Sequence, residues 1–233
     1  MQMDQLVLLP LWYAVFLLSL TCHEAAHALA AWRGGDPSAY LGGQLTLNPG
    51  PHVRREPFGT ILVPLLSFVL TGWIMGWASA PYDPDWAARH PRRAAAMAAA
   101  GPLANLLLAA LAFGALAAGL KFGWWQPALS EFYELDRLVE PADGPAGFAG
   151  AVGRLLSILL SLNLLLFLFN LVPLPPLDGA AVAGGLFEPA RTLGDMLRAS
   201  PFGGIVGVLL AWYAINWLFE PVFRVVMGWL FEG

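Results

Sequence analysis

Long apolar runs separated by short polar connections dominate the chain. A helix needs about 20 predominantly apolar residues to cross a bilayer, and several of these runs approach or exceed that length. The pattern therefore predicts an all-α polytopic membrane protein, arranged as a single membrane-embedded domain over residues 1–233. The runs cover residues 6–31, 60–77, 94–120, 155–171 and 204–218.

Composition strengthens this prediction and limits the architecture. The chain of 233 residues is 58% hydrophobic and 12% charged, whereas soluble domains are about 45–50% apolar and about 25% charged. No separate soluble domain of ordinary size fits beside the apolar runs. We expect one core over about residues 6–180, then a C-terminal helix with an amphipathic tail over about 203–233. The net charge of −4 gives no reason to expect a nucleic-acid partner.

One short segment follows a different period. The stretch LGGQLTLN at residues 41–48 alternates apolar and polar side chains after two glycines, and the Asn-Pro pair at its end marks a turn. Alternation with a period of two residues is typical of a strand. A short β element is therefore predicted near residues 41–48.

Three ionisable side chains interrupt the first apolar run. His23 and His27 are spaced i, i+4, so on a helix both imidazoles project from one face, one turn apart. Two nitrogens placed in this way can bind one Zn²⁺, and Glu24 lies beside them as a general base. The simpler alternative is a bundle helix with two buried histidines and a paired glutamate. Ionisable groups at membrane depth cost roughly 2.5–3.5 kcal/mol each and are rare without a function, which favours the metal site.

A catalytic zinc site needs a third protein ligand and an open position for water. Asp178 is the strongest candidate, because it directly follows the run 155–171 within the stretch PLPPLDG. The three prolines exclude a regular helix, and irregular backbone at membrane depth is tolerated only where it lines a cavity. The alternative is an ordinary turn that caps the next helix, which would be preferred for an isolated LDG.

Four stretches together resemble the site-2 protease family of intramembrane zinc metalloproteases, in its compact form without PDZ or CBS domains. Three of them are HEAAH at residues 23–27, GPLAN at 101–105 and NLVPLPPLDG at 170–179. The fourth is GDPSAYLGGQLTLNPGPH, which follows the first apolar run. The resemblance covers residues from about 19 to 180.

This resemblance implies hydrolysis of peptide bonds in transmembrane substrates. One Zn²⁺ per chain would lie on His23, His27 and Asp178. Glu24 would be the general base for a zinc-activated water, and Asn170 would help to hold the substrate or the oxyanion. The expected partners are a transmembrane peptide or protein substrate and the lipid bilayer, with a regulatory membrane protein as a further candidate.

Other polar side chains have simpler interpretations. Asn163 and Asn170 share a helix face at i, i+7, and Asn105 is a candidate to face them. Interhelical hydrogen bonding is the preferred interpretation for Asn163. His52 is interpreted as an exposed loop histidine, with a ligand or gate role as the alternative. The β element near 41–48 is interpreted as an ordinary hairpin, with an edge for an extended substrate as the alternative.

The predicted zinc site restricts the topology. His27 lies near the end of the first run and Asp178 lies just after the fourth run, so both ends must lie on the same side of the bilayer. One of the three intervening runs therefore does not cross. Residues 60–77 are the best candidate, because Pro64 and Gly72 interrupt them. A re-entrant hairpin is predicted there.

Four full crossings then remain, and positive charges divide unequally between the two sides. Cytoplasmic connections carry an excess of Lys and Arg, so we expect the zinc site toward the cytoplasm and both termini outside. The zinc side receives Arg33, Arg54, Arg55, Arg89, Arg92, Arg93, Arg191 and Arg198, and the other side receives Lys121, Arg137, Arg154 and Arg224.

Three alternative functions compete with proteolysis. A membrane metal carrier would use the two histidines and Asp178 as transport ligands, but carriers usually show repeated halves and a polar path, and Glu24 would have no role. A catalytically silent adaptor would have lost a ligand or Glu24, and none is lost. A zinc hydrolase acting on a lipid-like or prenylated substrate uses the same residues and is the hardest to separate.

Overall fold

A computed structural model describes residues 6–128, 134–143 and 147–232, and the described part is almost entirely helical. A π-helical turn covers Phe58–Leu62, and a small sheet consists of strands β1 (Trp125–Pro127) and β2 (Val139–Pro141). The helices are α1 (Leu9–Gly34), α2 (Ser38–Leu41), α3 (Pro49–Arg55), α4 (Val63–Thr71), α5 (Pro84–Arg89), α6 (Pro91–Lys121), α7 (Gly147–Asn170), α8 (Asp178–Leu186), α9 (Glu188–Ala199) and α10 (Gly203–Glu232).

Four of the described helices, α1, α6, α7 and α10, are long and apolar enough to cross a membrane. The predicted all-α polytopic fold with about four crossings is confirmed. α7 and α10 extend beyond their apolar runs, because α7 already begins at Gly147 and α10 continues to Glu232. The predicted amphipathic tail is therefore the last part of α10 and not a separate element.

α6 lies at the centre of the bundle and packs against α1, α7 and α8. It is rich in alanine, the best helix former, and its proline at the first position already has the helical φ. In its first half the buried positions include Ala95, Ala98 and Gly101. Small side chains let neighbouring backbones approach closely. α1 and α8 can therefore reach the same part of α6.

Residues 58–77 form the predicted hairpin. The chain rises through the π-helical turn and α4 and reverses at Gly72 with a φ of 76°. It then returns until the Trp77 backbone N–H donates to the Gly59 carbonyl at 3.0 Å. A Cβ on Gly76 would lie 2.3 Å from that same carbonyl oxygen, so only glycine allows the two arms to meet. At 14 residues, or about 21 Å, the helical arm is shorter than a bilayer core of about 30 Å.

The hairpin brings the chain back to the end of the bundle where α1 finishes. There the indole of Trp86 and the guanidinium of Arg93 both donate to the carbonyl oxygen of Gly34, at 3.1 and 3.2 Å. α6 therefore starts beside the end of α1 and runs away from it, and α7 returns. We call the end where α1 and α7 finish the site end, and the opposite end the far end.

The prediction of a β element near residues 41–48 is wrong. Leu41 is still the last residue of α2, the residues that follow it form turns and bends, and Gly43 has a φ of 71°. The Thr46 hydroxyl accepts from the Asn48 N–H at 3.1 Å, and the Asn48 side chain accepts from the Gly50 N–H at 2.9 Å. Such local bonds compete with an extended strand. The Asn-Pro pair is thus the N-terminal cap of α3 and not the end of a hairpin.

The small sheet lies elsewhere, at the far end. β1 and β2 pair antiparallel, with Gln126 opposite Glu140. The buried Trp125 donates its indole N–H to the carbonyl oxygen of Ala149 at 2.9 Å. Its ring belongs to the large apolar cluster that α6, α7 and α10 form there, which also contains Leu116 and Met227. Each strand is only three residues long, too short for an alternation to be recognised in sequence.

Candidate metal centre

α1 supplies two of the predicted ligands from one face. His23 and His27 are both buried, and their Nε2 atoms lie 2.9 Å apart. The helix continues without interruption through both positions, so the i, i+4 spacing places the second ring one turn above the first. The structure thus has the side-by-side arrangement that the spacing predicts.

The third predicted ligand comes from the irregular stretch after α7. Asp178 is the first residue of α8, and its Oδ2 lies 3.1 Å from His23 Nε2 and 3.3 Å from His27 Nε2. Gly179 makes this return possible, because a Cβ there would lie 2.3 Å from the carbonyl oxygen of Leu171. Among the described residues, these three side chains form the one group of His, Cys, Asp or Glu whose ligand atoms lie close enough together for a metal ion.

The outer nitrogens of both rings have oxygen partners. His27 Nδ1 lies 2.8 Å from the backbone carbonyl oxygen of Met97 on α6. A carbonyl oxygen only accepts, so in the neutral ring the proton sits on Nδ1 and the lone pair sits on Nε2. His23 Nδ1 lies 2.6 Å from Oδ1 of Asn105. Metal-binding histidines commonly use such partners to orient the ring.

The donor set fits a zinc ion. Two imidazole lone pairs and a carboxylate oxygen repel one another at 2.9–3.3 Å unless a cation, either a proton or a metal ion, lies among them. Zinc bonds to nitrogen and oxygen are about 2.0–2.2 Å long, and tetrahedral geometry then separates the ligand atoms by about 3.3 Å. Nitrogen and carboxylate ligands in a 2-His-1-carboxylate set are typical of catalytic zinc.

Gly101 on α6 keeps space open at these atoms. A Cβ at this position would lie 2.3 Å from His27 Nε2 and 2.5 Å from His23 Nε2. A catalytic zinc needs a coordination position that the protein leaves free. The absence of a side chain at Gly101 therefore provides room where both ligand atoms point.

Glu24, the neighbour of His23 in the chain, has a carboxyl oxygen without a hydrogen-bond partner. It is buried, and its Oε2 makes no hydrogen bond. A buried polar atom without a partner is costly in most contexts. It is expected where a protein leaves an acceptor free for a substrate or a water molecule.

The charge of Asp178 is favoured by its position. Burial raises the pKa of this carboxyl group, but the adjacent imidazoles of His27 and His23 outweigh burial and hold the pKa well below its ordinary range. The carboxylate is the form in which this group can bind a metal ion.

Asn170 was predicted to hold the substrate or the oxyanion. Asn170 is the last residue of α7, and its side-chain N–H donates to the Leu166 carbonyl oxygen at 3.0 Å. No hydrogen bond joins it to the three ligand side chains in the described structure, so its role stays a prediction.

His52 is buried in α3, with Nε2 3.1 Å from the Thr46 carbonyl oxygen. Its interpretation as an exposed loop histidine is wrong, because the bends at 41–48 fold over it.

Two contributions to the site were not predicted. The carbonyl of Met97 has no recognisable pattern in sequence, because every residue carries one. Gly101 lies within GPLAN, which the sequence singled out, but the role of that glycine becomes visible only when α6 is packed against α1.

Comparisons with known proteins give matches over most of the chain. The model of peptidase family M50 matches residues 12–213. The chain is 36% identical over 206 residues to "Putative zinc metalloprotease YwhC" from Bacillus subtilis, covering 88% of this chain and 81% of the relative. No solved structure matches the chain.

Mycobacterial relatives extend the match. "Putative zinc metalloprotease Rip2" from Mycolicibacterium smegmatis is 31% identical over 221 residues, covering 94% of this chain and 72% of the relative. The protein of the same name from Mycobacterium tuberculosis is 30% identical over 222 residues, with the same coverage. Since the family match spans most of the chain, the protein is an integral membrane zinc metalloprotease that belongs to peptidase family M50, the site-2 protease family.

Proposed function

We propose that this protein hydrolyses peptide bonds of transmembrane substrates, with Zn²⁺ held by His23, His27 and Asp178 and with Glu24 as the general base. The single observation that carries the proposal is the convergence of the three ligand atoms. The buried Glu24, next to His23 in the chain, adds an oxygen that has no hydrogen-bond partner. Both features lie in the interior of a bundle whose helices are long enough to cross a membrane.

The reaction divides into what the ion supplies and what the chain does. A zinc ion supplies a Lewis acid and lowers the pKa of a coordinated water toward about 7. In the proposed reaction Glu24 accepts a proton from the attacking water and passes it to the leaving amine. Its Oε2, which makes no hydrogen bond, supports this role. The buried position keeps bulk water from competing for that carboxylate.

Asn170 is our candidate for substrate binding. Asn170 ends α7 directly before the loop that leads to Asp178, so its amide lies on an element that borders the site. We assign it to the substrate carbonyl or the oxyanion, by likeness to the family motif. In that role the amide would exchange its bond to Leu166 for a bond to the substrate.

The test compares wild-type protein with Glu24→Gln after purification in detergent. Zinc content is measured by elemental analysis, and cleavage is measured on model transmembrane peptides. Since glutamine cannot accept the proton, we expect one zinc per chain in both proteins and a loss of cleavage on the order of 100-fold or more in the variant. Glu188→Gln, at an exposed ion pair on α9, is the matched control and should cleave normally.

Each outcome decides the proposal. Lost cleavage with retained zinc supports it, whereas equal turnover in Glu24→Gln contradicts the mechanism. A protein that hydrolyses prenylated or lipid-like substrates but no peptide would contradict the proposed substrate class. Zinc transport into vesicles that survives in Glu24→Gln would identify a carrier instead.

We further propose that the site end faces the cytoplasm. In this fold Arg33, Arg93 and Arg191 lie at or beyond the site-end termini of helices, and Lys121 and Arg154 lie at the far end. The test places single cysteines at Ser38 and Asp143 in a Cys22→Ala background and labels intact cells with an impermeant thiol reagent. Labelling of the Asp143 position alone supports the orientation, and labelling of the Ser38 position alone reverses it.

A further inference from the structure

We propose that a line of four buried side chains, Ser19, Asn163, Asn105 and His23, fixes which nitrogen of His23 is free for the metal. We call this line the relay. In it Asn105 and Asn163 are positioning residues that act on the metal ligand through its ring, beyond simple helix packing. The inference rests on the proposed zinc site.

The relay crosses three helices without interruption. Asn163 on α7 donates from Nδ2 to the Ser19 hydroxyl of α1 at 2.8 Å. Asn105 on α6 donates from Nδ2 to Asn163 Oδ1 at 2.9 Å, and His23 Nδ1 lies 2.6 Å from Asn105 Oδ1. Ser19, Asn105 and Asn163 are fully buried. Bulk water therefore does not compete for these bonds.

Backbone carbonyls at one end of the relay determine which of its atoms donate and which accept. The Ser19 hydroxyl donates its only proton to the carbonyl oxygen of Val15 at 2.7 Å, so it can only accept from Asn163. The same Asn163 amide nitrogen lies 2.8 Å from the carbonyl oxygen of Leu159. Both neighbours require a donor, which identifies this atom as the nitrogen. The Asn163 oxygen must therefore face Asn105.

The orientation of the Asn163 amide fixes the orientation of Asn105 and, through it, the tautomer of His23. Because Asn163 presents an oxygen, Asn105 must turn its nitrogen toward Asn163 and its oxygen toward His23. His23 Nδ1 must then carry the proton, which leaves the Nε2 lone pair for the metal. A reversed Asn105 would favour the opposite tautomer and protonate the nitrogen that faces Asp178. Interhelical bonding alone would be satisfied by either direction.

The neighbouring histidine provides an internal comparison. His27 is fixed directly by the carbonyl of Met97, which no side-chain substitution removes. Only the His23 half of the site therefore depends on replaceable side chains.

The test measures zinc affinity by competition with a chelator of known affinity, on the full-length protein in detergent. Asn105→Leu should weaken zinc binding about tenfold to hundredfold, the usual effect of losing such a partner. Asn163→Leu should weaken it less, because Asn105 remains but can reverse. Asn105→Asp keeps an acceptor for His23 but loses the donor to Asn163 Oδ1. It should therefore bind zinc more tightly than Asn105→Leu and less tightly than the wild type.

Ser161→Ala is the matched control. Ser161 is buried on α7, two residues from Asn163, and its hydroxyl has no hydrogen-bond partner. Its removal should leave zinc affinity unchanged. The visible absorption spectrum of the Co²⁺-loaded protein, which reports the ligand arrangement, should change in Asn105→Leu and not in Ser161→Ala.

The outcomes separate the relay from the proposed function. Wild-type zinc affinity in both Asn105→Leu and Asn163→Leu overturns the relay and leaves the protease intact. Zinc binding that is no tighter in Asn105→Asp than in Asn105→Leu also overturns it. If Asn105→Leu does not fold, Asn163→Leu carries the same test. Absence of zinc binding by the wild type would instead contradict the proposed function.

Discussion

The two halves of α6 pack against different kinds of side chain. Toward the site end its buried side is formed by Ala95, Ala98 and Gly101, and the polar relay begins at Asn105. Toward the far end the same helix contributes Ala109, Ala112 and Leu116 to a large apolar cluster. Most of the large side chains in that cluster, including Trp125, Phe223 and Met227, come from other elements.

Close packing has a different consequence at each end of α6. At the far end large side chains fill the volume between elements, so the chief consequence of packing is stability. At the site end small residues let α1 and α8 bring their polar atoms to one point, so the chief consequence is the position of ligands. Changes that add volume at the site end should therefore affect zinc binding, and changes that remove volume at the far end should affect stability.

The largest effect is expected for Gly101→Ala. The added methyl group would lie 2.3–2.5 Å from both histidine Nε2 atoms, in the space that the ion and its open position require. Zinc affinity should fall on the order of 100-fold or more, measured by chelator competition on purified protein.

Gly114→Ala is the control on the same helix, where an added Cβ meets no atom within 4 Å. It should bind zinc as the wild type does. Tight zinc binding by Gly101→Ala would show that the space at this glycine has no part in the site. It would contradict the view that packing at the site end determines the position of the ligands.

An intermediate effect is expected for Leu116→Ala. This side chain is fully buried in the far-end cluster, and its truncation leaves a cavity that should lower the free energy of unfolding by roughly 2–5 kcal/mol. Thermal unfolding in detergent would measure the loss. The zinc content should remain one per chain.

Leu111→Ala, at an exposed position of the same helix, should change stability far less. A loss of zinc in folded Leu116→Ala would show that the two halves of α6 are not independent.

The smallest effect is expected for Asp36→Asn, at the site end but outside the ligand cluster. Burial raises the pKa of Asp36, but hydrogen bonds from Ser38 and from the Asp83 N–H outweigh it and lower the pKa below its ordinary value. A lowered folded-state pKa means that the charged group stabilises the fold above its unfolded pKa of about 3.9, and that this contribution is lost as pH falls through the folded value.

Asp36→Asn should therefore be less stable by roughly 1 kcal/mol at pH 7, and the difference should shrink below about pH 4. Thermal unfolding at the two pH values measures it, with Asp195→Asn on the exposed face of α9 as control. A difference that grows on acidification would contradict the assignment, and zinc affinity should be unchanged in both variants.

Sequence patterns predicted the features that depend on local periodicity or on one spacing rule. Helical spacing places His23 and His27 together, and the requirement that Asp178 meet them correctly led to the hairpin over 60–77. The proximity of Asn105 and Asn163 was also foreseen, because amides in apolar helices bond across helices.

The features that were missed depend on contacts between distant segments or on short local bonds. The stretch at 41–48 has the alternation of a strand, but side-chain bonds at Thr46 and Asn48 turn it into a bend and a helix cap. The direction of the relay depends on the carbonyls of Val15 and Leu159, which carry no sequence information.

The order of the ligands along the chain has a consequence for biosynthesis. His23 and His27 lie in the first long helix, and Asp178 follows about 150 residues later. At about 5–20 residues per second, translation separates the two histidines from the aspartate by on the order of ten seconds. α1, α6 and α7 with the whole relay are synthesised before Asp178, so the third ligand reaches a histidine pair whose supporting residues have already been made.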